Sequence, residues 1–96
     1  MIIHLNKFGS VFTSRQNGKE SYAAFLPTLN SVGVDEEVIV DFEGVSVFSP
    51  SWGDEFLTPL QQKFGDRLFL KVSQNPSVIL TLSTLEKINQ AKFKRM

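Results

Sequence analysis

The sequence contains no cysteine and no long apolar run. The absence of cysteine excludes disulfide bonds and thiolate metal sites, and it is typical of proteins in a reducing compartment. No apolar stretch approaches the roughly 18 residues that span a bilayer. The first six residues do not form a basic leader followed by a long apolar segment, so they do not predict a signal peptide. We therefore expect a cytoplasmic protein.

Basic residues are missing from the middle of the chain, although ten basic and ten acidic residues balance overall. No Lys or Arg lies between Lys19 and Lys63, and that interval holds Glu20, Asp35, Glu36, Glu37, Asp41, Glu43, Asp54 and Glu55. From Arg67 to the end, six basic residues face the single acidic Glu86. An acidic central segment disfavours a nucleic-acid binder and suits a protein partner with a basic surface.

The sequence also lacks the motifs of common enzyme classes. His4 is the only histidine, and neither a Gly-x-Ser-x-Gly turn nor a phosphate-binding Gly-x-x-x-x-Gly-Lys-Ser/Thr loop is present. Glu43, Asp54 and Glu55 have no histidine or further ligand nearby in sequence, so they indicate a solvated acidic rim rather than a metal site or a catalytic carboxylate pair. We expect no enzymatic activity, no metal and no cofactor.

What the chain does have is the composition of one small globular domain, which we place at residues 1–96. It is 42% hydrophobic and contains nine phenylalanines. Ile2–Leu5 predicts a first strand, and a second around Val11 remains open. A cap at Asn17 with Glu20 three places on predicts a helix that Pro27 should kink and Gly33 should end.

Val38–Val40 is a β-branched run that predicts a central strand buried on both faces. The next helix has two candidate caps: Ser49 followed by Pro50 at the first helical position, or Ser51 itself. Either cap places the Ser51 hydroxyl beside free backbone N–H groups. The buried face of this helix is predicted to comprise Phe56, Leu57, Leu60 and Phe64, and Gly65 is predicted to end it.

The remaining elements are a strand at Leu68–Val72 and a helix opened by Asn75-Pro76. The apolar side of this last helix is predicted to comprise Val78, Ile79, Leu82, Leu85 and Ile88. Its end is predicted to carry the basic residues Lys87, Lys92, Lys94 and Arg95, where cations favour the helix dipole. Strands that alternate with helices predict a central sheet, at least partly parallel, with right-handed crossovers.

Two segments in this order resemble the STAS-like family of small bacterial proteins. They are Val38–Phe42, where the family shows a strand ending in Asp, and Ser51–Phe56, where it shows a helix start of Ser-Phe-x-x-Glu type. Ser14-Arg15, Gly18-Lys19-Glu20 and Phe25-Leu26-Pro27-x-Leu29 resemble the family's first-helix region. The resemblance implies a single α/β domain with a four- or five-stranded, mostly parallel or mixed sheet and about three helices.

The family is related in fold to STAS domains, which include the anti-sigma factor antagonists. In the antagonists, a strand–loop–helix of Asp-Leu-x-x-Val-x-Phe-Met-Asp-Ser-Ser-Gly type carries a serine that a partner ATPase-kinase phosphorylates. Asp41, Val45 and Phe48 match that pattern, and Ser51 falls on the phosphorylated serine. Ser49 and Trp52 depart from it, because the antagonists have Asp and Gly there.

The resemblance therefore implies a non-enzymatic regulatory module that docks through residues 43–55 onto a protein partner, a histidine-kinase-like ATPase. Ser51 is the candidate phosphorylation site, and the expected docking residues are Glu43, Ser49, Ser51, Trp52, Asp54 and Glu55. Whether Trp52 packs in the core or lies exposed as an anchor remains open. Two alternatives are a nucleic-acid-associated regulator that uses a basic C-terminal helix, and a structural homodimer that buries the Trp52 region.

Overall fold

Six strands and three helices make up the computed structural model, which describes residues 1–96. In chain order they are β1 (Ile2–His4), β2 (Val11–Phe12), α1 (Arg15–Leu29), β3 (Val38–Asp41), β4 (Val47–Phe48), α2 (Pro50–Phe64), β5 (Leu68–Leu70), α3 (Pro76–Asn89) and β6 (Lys94–Arg95). Short 3₁₀ helices occupy Leu5–Phe8 and Gly65–Arg67. The predicted α/β architecture with three helices is confirmed.

The strands form two separate parallel sheets. The main sheet has the order β1-β3-β5-β6, and β2 pairs with β4 in a two-stranded sheet. Each strand of the main sheet is added on the same side of the strand that precedes it in the chain. Right-handed crossovers between parallel strands added in this way place all three helices on one face. β3 is an inner strand, as predicted, but its burial is one-sided: Val38 and Val40 are buried while Ile39 is only partly buried.

One hydrophobic core of 20 buried residues joins the helices to the sheet. An aromatic cluster lies at its centre. The Trp52 ring stacks on Phe56 with centroids 4.9 Å apart, and Phe12 and Phe48 contact it edge-on or tilted at 4.7 and 5.6 Å. Burial of several large rings supplies much of the stabilisation available to a domain of this size.

The first helix begins earlier and ends earlier than predicted. Its cap is Ser14, whose Oγ accepts a hydrogen bond from the Asn17 backbone N–H at 3.1 Å, so the prediction of a cap at Asn17 is wrong. The Asn17 side chain instead binds an indole in the core, as described below. The helix ends at Leu29 rather than near Gly33, and Pro27 therefore lies in its last turn.

Two predicted members of the α3 apolar face are exposed. Ile79 and Ile88 are 53% and 66% exposed, whereas Thr81, which was not predicted, is buried. Thr81 is buried because its hydroxyl has a partner in the core: it donates to the Phe48 carbonyl at 2.7 Å. The buried face otherwise follows the prediction, with Val78, Leu82 and Leu85 inside.

The basic C-terminal residues do not belong to a helix. α3 ends at Asn89, and Lys94–Arg95 form the edge strand β6 beside β5, which is itself shorter than predicted. The nucleic-acid alternative rested on a basic C-terminal helix, and that premise is wrong.

The residues of β6 are tied back to the rest of the fold. Arg95 donates to Glu86 Oε2 at 2.6 Å, and Lys94 Nζ lies 3.8 Å from Asp66 Oδ1. Burial acts to raise the pKa of Glu86, but hydrogen bonds from Arg95 and the Phe93 N–H outweigh it and lower that pKa below its ordinary value. These contacts, together with burial of Phe93, hold the C-terminal chain in the sheet.

Candidate functional site

The segment 43–55 begins at the carboxyl edge of the main sheet, directly after β3. Asp41 closes the strand: its Oδ1 accepts from the Glu43 N–H at 3.0 Å, and its Oδ2 lies 3.4 Å from His4 Nδ1. Gly44 follows with a φ of +84°, a conformation that favours glycine. Asp41 therefore stabilises the turn, while Glu43 is exposed at the surface.

The start of α3 fixes the loop between β3 and α2. Asn75 Nδ2 donates to the carbonyls of Val45 and Ser46, both at 2.9 Å. Ser77 Oγ accepts from the Phe48 N–H at 3.0 Å. Buried side chains and these hydrogen bonds therefore hold the segment in one conformation. The segment forms a rigid surface rather than a mobile loop.

Ser49 caps α2, as one of the two predicted alternatives has it. Its Oγ accepts from the Trp52 N–H at 3.3 Å and donates to the Thr13 carbonyl at 3.1 Å. Pro50 occupies the first helical position. The alternative cap at Ser51 is wrong. Since the Ser49 hydroxyl has partners within the chain, its role here is to join the starts of α1 and α2.

Trp52 is fully buried, with 0% of its surface exposed. Its Nε1 donates to Asn17 Oδ1 at 2.9 Å, so the one polar atom of the ring is also satisfied. Gly18 of α1 provides the space, because a Cβ there would lie 2.7 Å from the Trp52 carbonyl oxygen. The assignment of Trp52 as a docking residue is therefore wrong. The Trp52 side chain is thus not available to a homodimer interface, and the alternative of a homodimer that buries the Trp52 region stays a prediction.

Ser51 lies at the second position of α2 and is partly exposed. Unlike Ser49, its hydroxyl makes no hydrogen bond within the chain. The adjacent first-turn N–H groups carry the positive end of the helix dipole, which favours a negative group at this place. The Ser51 side chain is thus accessible from solvent, whereas the ring of the adjacent Trp52 is buried.

Asp54 and Glu55 follow one turn later and share a basic partner that the sequence did not indicate. Arg15 Nη1 lies 3.0 Å from Asp54 Oδ2 and 3.6 Å from Glu55 Oε2. Thr58 Oγ1 also donates to Asp54 Oδ1 at 3.0 Å. The predicted acidic rim exists, but a guanidinium from α1 partly neutralises it.

Of the six predicted docking residues only Trp52 is buried, and Ser49 is partly exposed although its hydroxyl is bonded within the chain. Glu43 is exposed, and Ser51, Asp54 and Glu55 are partly exposed along one side of α2. No three histidine or acidic side chains are grouped so that they could hold a metal ion. None of the helices has the length and apolar character needed to cross a membrane.

Comparison with protein families matches residues 17–78 to a STAS-like domain of unknown function (DUF4325). The chain belongs to this family. The matched region runs from α1 to the first turn of α3 and includes the whole strand–loop–helix around Ser51. Comparisons with curated proteins and with solved structures give no significant match.

The residues that sequence analysis missed are the ones that act across the fold. Arg15, Gly18, Asn75 and Thr81 each contact the strand–loop–helix from a distant part of the chain. Arg15 and Gly18 stand in stretches that resemble the family's first helix, which is the one signal that pointed to them. Nothing in the local sequence paired them with α2.

Proposed function

We propose that this STAS-like protein is a non-enzymatic regulatory module of the cytoplasm that docks onto a protein partner through residues 43–55. The observation that carries the proposal is the contrast between neighbouring serines. Ser49 is hydrogen-bonded into the scaffold, whereas Ser51 lies partly exposed on the same rigid segment with a free hydroxyl. A fixed surface that carries a modifiable group suits a regulatory contact.

The docking surface comprises Glu43, Ser51, Asp54 and Glu55. Its side chains are acidic or hydroxylated, and its large apolar residues, Trp52 above all, are buried. Acidic surfaces steer partners that present Lys or Arg and disfavour acidic ones. The related antagonists bind histidine-kinase-like ATPases, and by that resemblance the partner is an ATPase of this kind with a basic contact surface.

Phosphorylation of Ser51 is the proposed switch. The partner transfers the γ-phosphoryl group of its bound ATP to Ser51 Oγ. ADP leaves, and the proton of the Ser51 hydroxyl goes to a base of the partner. The product adds a charge of about −1.5 to −2 next to Asp54 and Glu55. The added negative charge weakens binding to an acidic surface of a partner, and it strengthens binding to a surface that presents arginine.

The test is affinity capture from the native host's lysate with wild type, Ser51→Ala and Ser51→Glu, followed by calorimetry with each purified ATPase recovered. Ser83→Glu is the matched control, because Ser83 is also partly exposed on a helix but lies outside the docking surface. We expect Ser51→Glu to change the affinity for an ATPase at least about tenfold, or about 1.4 kcal/mol, and Ser83→Glu to leave it unchanged. Equal affinities for folded Ser51 variants and wild type would remove Ser51 from the mechanism.

A further inference from the structure

Arg15 is the one cation that reaches the acidic side of α2. Its side chain is 56% exposed and extends from the first turn of α1 to both Asp54 and Glu55. The backbone beneath it is fixed, since Ser14 caps the helix and Gly18 packs against the Trp52 backbone. The guanidinium is therefore an exposed charge on a well-packed backbone.

Ser51 lies on the same side of α2 as the two carboxylates. Residues three and four positions apart are neighbours on a helix, with Cβ atoms about 5–6 Å apart. Helical side chains also lean toward the N-terminus, so Asp54 and Glu55 extend over the turn that carries Ser51. Arg15, which contacts both carboxylates, therefore lies on the side of α2 that carries Ser51.

We propose that Arg15 is the residue through which the domain responds to phosphorylation of Ser51. In the unmodified protein Arg15 compensates Asp54 and Glu55. A phosphate at Ser51 competes for the guanidinium, because it offers more charge and a geometry that arginine binds in a bidentate way. Arg15 then moves to the phosphate and leaves the two carboxylates without their partner.

The expected consequence is a redistribution of surface charge that the phosphate alone would not produce. Two carboxylates and one guanidinium sum to −1, and a phosphate brings the group to about −3. The carboxylates also become available for contact. This inference rests on the proposed function, since it describes how the same docking surface is switched.

The test uses phosphoserine placed at position 51 during translation or by peptide ligation, so that no kinase or partner is required. The phosphate is titrated by ³¹P NMR in wild type, in Arg15→Gln and in Lys19→Gln. Lys19 is the matched control: it is an exposed cation on α1 that makes no ion pair in the structure. An arginine that contacts the phosphate lowers its second pKa, which is ordinarily about 6, by favouring the dianion.

We expect the phosphate pKa in wild type and Lys19→Gln to lie about one unit below that in Arg15→Gln, a tenfold difference in the protonation constant. Arg15→Lys, which keeps the charge but not the bidentate geometry, should fall between them. It also replaces Arg15→Gln if that variant does not fold. Equal pKa values in wild type and the Arg15 variants would overturn the proposal.

Failure of this inference is distinguishable from failure of the proposed function. Equal phosphate pKa values would leave docking through residues 43–55 intact and assign Arg15 a purely structural role. Equal partner binding by the Ser51 variants would instead remove the docking switch and leave the titration result unaffected. A lowered pKa together with altered partner binding supports both.

Discussion

Replacement of Gly18 by alanine should destabilise the domain, although the same change usually stabilises a helix. Gly18 is inside α1, where alanine is favoured over glycine by about 1 kcal/mol. The structure opposes that gain. A Cβ at this position would lie 2.7 Å from the carbonyl oxygen of Trp52, 3.1 Å from its Cα and 3.2 Å from its Cγ. Two of these three atoms belong to the backbone.

The magnitude follows from how little the neighbour can move. Carbon–oxygen contacts ordinarily lie at about 3.3–3.6 Å, so α1 and α2 must separate by roughly 0.6 Å or more. Trp52 is fixed by an aromatic cluster and by its bond to Asn17. We therefore place the overpacking cost near the upper end of its usual range, at about 3 kcal/mol. After the helix-propensity gain, the net loss is about 2 kcal/mol.

Thermal and urea unfolding of the purified variant measure this loss. A change of about 2 kcal/mol lowers the midpoint temperature of a domain of this size by about 8–16 °C. Gly53→Ala is the comparison, because a Cβ there would meet only side-chain atoms of Leu85, Thr81 and Phe48, at 3.1–3.2 Å. It should cost less. A Gly18→Ala protein as stable as wild type would refute the view that close helix contact makes room for Trp52.

Three further predictions concern contacts made by single side chains of the fold. Ser49→Ala should cost about 1 kcal/mol of unfolding free energy by urea denaturation, because it removes the α2 cap, whereas Ser51→Ala should stay within about 0.5 kcal/mol. Thr81→Val should cost about 1–3 kcal/mol, because it leaves the buried Phe48 carbonyl without its donor. Glu86→Gln should be less stable than wild type at pH 7. Since the pKa of Glu86 is lowered by its hydrogen bonds against the effect of burial, its stabilisation is complete above the unfolded value of about 4.3. The difference between the two proteins should therefore close as the pH of the unfolding experiment falls below about 4.

The parts of the fold that the sequence predicted correctly are those set by neighbouring residues. Ser49-Pro50 and Asn75-Pro76 open α2 and α3 as predicted, because a capping side chain followed by proline acts within one turn. Gly65 ends α2 with a φ of +54°, for which glycine is favoured. These signals need no knowledge of the rest of the chain, and they located the segment that contains Ser51.

The predictions that failed concern residues whose environment is made by distant parts of the chain. Asn17 has a good local capping pattern, yet its side chain serves the Trp52 indole. Lys94 and Arg95 were predicted near a helix end, where their charge would be favourable, but they pair with β5 in the sheet. In each case a tertiary contact supplied more than the local preference, which amounts to only about 1 kcal/mol.

The candidate site shows the same division between local and distant causes, and this bears on its function. The position of Ser51 at a helix start follows from the adjacent Ser49-Pro50. Its electrostatic surroundings follow from the two-stranded sheet, in which Phe12 and Phe48 are register partners. That pairing starts α1 and α2 side by side and brings Arg15 to the carboxylates that follow Ser51. A serine in the same local sequence could still be phosphorylated without the pairing of β2 with β4. No guanidinium would then lie nearby to move to the phosphate. The small sheet is therefore the element that we expect to couple modification to the shape of the docking surface.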